Sequence, residues 1–212
     1  TMVVFARAGF AIADALGWQR FSLLAHSLGG AVANVMAAAN PQRIERLLLI
    51  ESLGALAEAE DRTAARLRDA FAARAMPSRP LRVFDDIATA VRARMQVNGL
   101  SEPVARLLVE RGIVPVAGDN GARGYAWRSD PRLTQPTAVR ISEGQVRDLI
   151  ANIACPTRVI YATPAQPYFP EDVRRARAAL LSDGELMVMD GSHHLHMEDP
   201  VGVAVAIGDF LG

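Results

Sequence analysis

At 212 residues, half of them hydrophobic, the chain is long enough for one large domain, or a core with a smaller insertion, around a substantial buried interior. Basic and acidic residues balance at 23 each, which removes the electrostatic footprint of a nucleic-acid or anionic-membrane binder. Every basic residue is arginine, and these are expected to coat exposed helix faces. The single cysteine, Cys155, has no partner for an internal disulfide; set before Pro156 at the entry to an apolar run, it reads as a small buried filler. No apolar segment approaches a membrane span, and Arg7 and Asp14 interrupt the one N-terminal run that resembles a signal peptide. The expectation is a cytoplasmic protein.

In chain order, Thr1 to Leu16 reads as an amphipathic helix with apolar positions Val4, Ala8, Ala11, Ile12, Ala15 and Leu16, stopped near Gly17. Phe21 to Ala25 is a short, nearly continuous apolar strand of the kind buried on both faces of a parallel sheet. A helix of small residues follows from Gly29 to Ala39 and ends at Asn40-Pro41. The next strand, Arg46 to Ile50, delivers Glu51 at its carboxyl end. Strand, helix, strand in this order is a right-handed crossover unit of a parallel sheet.

From Ala55 to about Ile150 the pattern turns mostly helical, with helices expected near Ala57–Ala75, Val83–Val97, Pro103–Arg111 and Ser142–Ile150. Breaks fall at Met76-Pro77, Asn98-Gly99 and the loop Gly118 to Pro136. Such a block between two parallel strands reads as an inserted helical cap, 55–150, within a core of 1–54 and 151–212. In its aromatic patch, Tyr125 to Pro131, Trp127 is expected to anchor a loop more than to line a pocket. Strand and helix then resume: Arg158 to Ala162, a proline-rich loop, a helix Glu171 to Leu181, and a strand Glu185 to Met189. Asp199 and Pro200 suit the cap and first position of a last helix running to about Leu211.

Two stretches carry chemistry. Ala25-His26-Ser27-Leu28-Gly29 lies between a strand and a helix, the setting of a nucleophile elbow, a strained turn that exposes a serine hydroxyl. Its crowding demands small residues two before and two after the serine, met by Ala25 and Gly29. A serine needs a neighbouring imidazole to take its proton. His26 is expected to point into the sheet, away from Ser27. His193, His194 and His196 lie in a loop at the carboxyl end of the last strand, which a parallel sheet places beside the elbow. Those three lack a helical metal-ligand spacing and a cysteine or carboxylate partner set, so no metal and no cofactor are expected.

The run His193-His194-Leu195-His196-Met197-Glu198-Asp199-Pro200 resembles the terminal motif of α/β-hydrolases, and the order of elements resembles the second half of a capped member. Trp127-Arg128-Ser129-Asp130-Pro131-Arg132-Leu133, with Leu49-Ile50-Glu51-Ser52-Leu53-Gly54, resembles the serine hydrolase-like branch. The resemblance implies an α/β fold, a parallel sheet flanked by helices, with His193 as base and His194 and His196 as flanking residues, the latter packed or capping. The acid has two candidate locations. Where the resemblance implies an aspartate after the strand Arg158 to Ala162 stands Ala165, with Asp172 and Glu171 nearby at a helix start. The other location is the strand end at Glu51, favoured over Asp172 on geometric grounds.

The backbone N–H of Leu28 is the expected oxyanion donor. A second donor normally comes from a loop before the elbow strand, and that part of the fold is expected to be missing here, leaving an apolar sheet edge that favours self-association. The implied activity is a serine-dependent hydrolase of an ester or related small acyl compound working through an acyl-enzyme; the same triad also serves carbon–carbon bond hydrolases. Relatives that dehalogenate or open epoxides use an aspartate nucleophile, against which Ser27 stands. The alternative is a non-catalytic binding or interaction module on the same fold, lacking the oxyanion loop.

Overall fold

A computed structural model of the chain describes residues 1–75, 81–117 and 123–212. Small residues let α1 (Met2–Ala15) pack closely, and it does so through Ala6, Phe10 and Ala13. Val4, Ala8, Ala11, Ile12, Ala15 and Leu16, all six of the expected apolar positions, are exposed instead. Then come β1 (Phe21–His26), α2 (Leu28–Ala39) and β2 (Ile44–Ile50), with β1 and β2 parallel. The run Leu47 to Ile50 is buried on both faces, as an uninterrupted apolar strand at the middle of a covered sheet must be.

The next stretch is less helical than its sequence pattern. It holds α3 (Thr63–Ala75), β3 (Val83–Phe84), α4 (Ile87–Asn98), α5 (Glu102–Gly112), β4 (Ile113–Ala117) and β5 (Arg123–Trp127). The three strands form an antiparallel sheet in the order β3-β5-β4. Val83 and Phe84, expected to open a helix, are strand; Asp86 caps α4, its side chain accepting from the Thr89 N–H at 2.6 Å. Tyr125 to Trp127, expected in a loop, are strand as well. Trp127 meets the Phe84 ring edge-on at 5.8 Å with the Arg94 guanidinium over its face, so it is a packing residue. The expected break at Met76-Pro77 and the first part of the Gly118–Pro136 loop, 118–122, lie outside the described residues.

The chain ends with α6 (Glu143–Ala151), β6 (Thr157–Thr163), α7 (Glu171–Ala178), β7 (Gly184–Asp190), α8 (Leu195–Glu198) and α9 (Pro200–Ile207). The last helix stops at Ile207, and a 3₁₀ turn, Gly208–Leu211, follows. The main sheet is parallel throughout, in the order β1-β2-β6-β7, so β1 is an outer strand, with Leu24 exposed on it.

Two units pack separately: 1–63 with 139–212, and 64–138. The first therefore takes in 55–63 and 139–150, which the sequence pattern places in the insertion. The reason lies in α6, whose Val146 and Ile150 are fully buried in the same cluster as Leu47, Leu49 and Val159. Cys155 also belongs to that cluster, and burial pushes its thiol pKa up. Among the described residues, no helix is long and apolar enough to cross a membrane.

Gly54 shows how tightly this core closes behind the site. Its φ of +79° favours glycine, and a β-carbon there would stand 2.5 Å from Cγ1 of Val146. Gly54→Ala is expected to cost about 2 kcal/mol or more, from overpacking and left-handed strain together, read as a lower urea midpoint at an unchanged m-value.

Candidate active site

The carboxyl ends of β1, β2 and β6 and the loop after β7 converge on one group of side chains. Ser27 sits between β1 and α2 with φ 53° and ψ −123°, a conformation that costs a non-glycine residue about 1–3 kcal/mol. The turn is held by the Ser27 N–H, which donates to the Ile50 carbonyl at 3.1 Å, and by the Gly30 N–H, which returns to the Ser27 carbonyl at 2.9 Å. A β-carbon on Gly29 would lie 3.9 Å from that of Ala25, an ordinary contact. The harder constraint is Gly30, where a β-carbon would stand 2.5 Å from Cβ of Ser52. The crowding thus falls one residue later than the sequence pattern indicates.

His193 bridges Ser27 and Glu51. Its Nε2 lies 2.8 Å from Ser27 Oγ, and its Nδ1 lies 3.2 Å from Glu51 Oε2. A carboxylate only accepts, so Nδ1 carries the proton and Nε2 accepts from the serine hydroxyl. Glu51 is the second non-glycine residue with positive φ, at 52°. Its side chain is 2 % exposed, and its other oxygen, Oε1, accepts the Ala162 N–H at 2.6 Å. The Glu51 N–H in turn donates to the Ile160 carbonyl, so the pairing of β2 with β6 continues through the bend.

Arg174 completes the surroundings of Glu51. It stands 3.5 Å from Glu51 Oε2, donates to the carbonyls of Ala162 at 2.7 Å and Phe169 at 3.0 Å, and lies over the Tyr161 ring. One turn on, Arg177 donates to the carbonyls of Leu53 and Ala55, both at 2.9 Å, and pairs with Glu143. Both arginines are almost fully buried, which corrects the expectation that the arginines coat exposed helix faces. The signal that distinguishes them is their i,i+3 spacing, which puts 174 and 177 on one face of α7 and leaves Arg175 outward with Glu171.

Of the residues singled out in the sequence, Ser27, His193 and Glu51 are brought together. Asp172 is exposed in the first turn of α7. Leu28 opens α2, so its N–H is among the first four of a helix, which find no acceptor inside it, and it lies where the helix dipole is positive. His26 differs from expectation. Its ring packs against those of His193, His194 and His196, at 4.7, 5.3 and 4.3 Å between centroids, and its Nε2–H donates to the His193 carbonyl at 2.7 Å. Burial, opposed by that hydrogen bond, pulls the His26 pKa down to about 4, and burial lowers that of His196 as well. A separation of 167 residues in the chain hides this contact from local pattern.

The α/β hydrolase fold family model matches residues 3–200. A serine hydrolase-like protein of Dictyostelium discoideum is 26 % identical over 209 residues, covering 94 % of this chain and 58 % of its own length. One of Danio rerio is 24 % identical over 211 residues, covering 94 % and 63 %. The chain thus spans about three fifths of the length of these relatives. A solved structure of a hypothetical protein from Pseudomonas aeruginosa is 33 % identical, with a TM-score of 0.87 over 99 % of this chain and 72 % of that one.

Removing the buried cation should be felt directly. Arg174→Met leaves the Glu51 carboxylate buried without a cationic neighbour and is expected to cost about 3 kcal/mol, measured by chemical denaturation.

Proposed function

Since the chain belongs to the α/β-hydrolase fold family, we propose that Ser27, His193 and Glu51 are the nucleophile, base and acid of a hydrolase acting on an ester or related small acyl compound. The observation that carries this reading is the hydrogen-bonded chain from Ser27 Oγ to His193 Nε2, and from His193 Nδ1 to Glu51 Oε2. Ser27 Oγ attacks the acyl carbon while Nε2 of His193 takes the hydroxyl proton. The negative charge passes to the carbonyl oxygen, toward which the Leu28 N–H points as donor. His193 then returns its proton to the leaving group, and the bond between it and the acyl carbon breaks. A water molecule, deprotonated by the same nitrogen, clears the acyl-enzyme. Glu51 keeps the proton on Nδ1 and stabilises the imidazolium.

Glu51 is favoured over Asp172 as the acid because its carboxylate reaches His193, while Asp172 lies exposed at a helix start. The separately packed unit 64–138 interrupts the chain between β2 and β6, and by that place in the order of elements we read it as the cap.

A fluorophosphonate probe tests the reading, since it reacts with an activated serine. Labelling is expected on Ser27 and is expected to vanish in Ser27→Ala; a folded, unlabelled parent protein overturns the assignment and leaves the binding-module alternative standing. Glu51→Gln keeps the shape and the Ala162 hydrogen bond but loses the charge, and should slow labelling about 100-fold or more. Asp172→Asn should label near the parent rate; the reverse pattern moves the acid to Asp172.

A further inference from the structure

His26, His194 and His196 each offer one ring nitrogen, and these nitrogens all lie within 4.8 Å of one another. They come from two parts of the chain: His26 ends β1, while His194 caps α8 and His196 lies within it. The Nδ1 atom of His196 is buried with no hydrogen-bond partner, an arrangement that costs about 1–3 kcal/mol unless something takes its lone pair. The His26 ring is held by one hydrogen bond. Its Nε2–H is spent on the His193 carbonyl, which leaves the lone pair on Nδ1, and metal-ligating histidines are commonly fixed by such a bond from the second ring nitrogen.

We propose that His26, His194 and His196 form a binding site for one divalent transition-metal ion of the zinc class. Imidazole nitrogens select zinc, cobalt, nickel or copper over the hard cations magnesium and calcium. With zinc–nitrogen bonds of 2.0–2.1 Å, tetrahedral geometry sets nitrogens about 3.3 Å apart, so the three rings must close by on the order of one ångström. A water would take the fourth position, as in zinc sites with three protein ligands. The ring of His193 stands 4.7 Å from that of His26 and 5.2 Å from that of His194, between centroids. The metal site does not rest on the serine–histidine reading above.

The test uses the full chain, stripped with a chelator and dialysed against zinc with bound metal measured directly. One zinc per chain is expected, bound about 100-fold more weakly after His194→Ala and after His196→Ala, each checked for folding by circular dichroism. No zinc bound by the parent, or equal affinity in the folded variants, overturns the site. Cobalt needs no variant: intense visible absorption typical of a four-coordinate ion supports the site, and the spectrum of aqueous cobalt overturns it. Ser27→Ala should still bind zinc.

Discussion

A carboxylate buried at a strand end is tolerable only if its oxygens are engaged, because an unpaired charge taken out of water costs several kcal/mol. Glu51 meets this condition with three partners from three segments: the Ala162 N–H of β6, the Arg174 guanidinium of α7, and the His193 ring of the loop after β7. Each partner is available only if its segment is in place. The carboxylate therefore couples the pairing of β2 with β6, the return of α7, and the position of the histidine loop. The positive φ of Glu51 belongs to the same constraint, since it turns the side chain off the β2 axis and toward these partners.

The two buried arginines extend that coupling backwards. Arg174 closes around Glu51, and Arg177 takes the carbonyls of Leu53 and Ala55, where the chain leaves the sheet, while pairing with Glu143 at the start of α6, where it comes back. A guanidinium suits this task because it offers five donors in a plane and stacks on aromatic rings; Arg174 lies over Tyr161, and Arg177 over Phe169. Both ends of the long excursion between β2 and β6 are thus tied to one face of α7. Gly54 lies between the two carbonyls that Arg177 holds.

The histidines show how one loop serves two ends. His193 faces Ser27 and Glu51 through its ring, and its carbonyl holds His26, the residue before the serine. The elbow and the histidine loop are therefore joined twice, once through the hydroxyl and once through the backbone. Displacement of either side disturbs both contacts.

Short-range pattern was enough for much of this protein. The apolar run Leu47 to Ile50 marks a doubly buried strand, the small residues after Ser27 mark a close-packed helix, Ser27 stands at a strand-to-helix turn and Glu51 at a strand end, while His193 is singled out among the loop histidines by the resemblance of its terminal motif. These features depend on residues within a few positions of one another, which is the range over which a linear pattern carries information. The antiparallel strands in 83–127 escaped it, because their pairing partners are distant in the chain and their apolar runs are too short to separate strand from helix. Tertiary structure alone decided the burial of Arg174 and Arg177, the inclusion of α6 in the core, and the gathering of His26 with His194 and His196. Each depends on groups tens to more than a hundred residues apart, and a charge or an imidazole acquires its role from what the folded chain sets beside it.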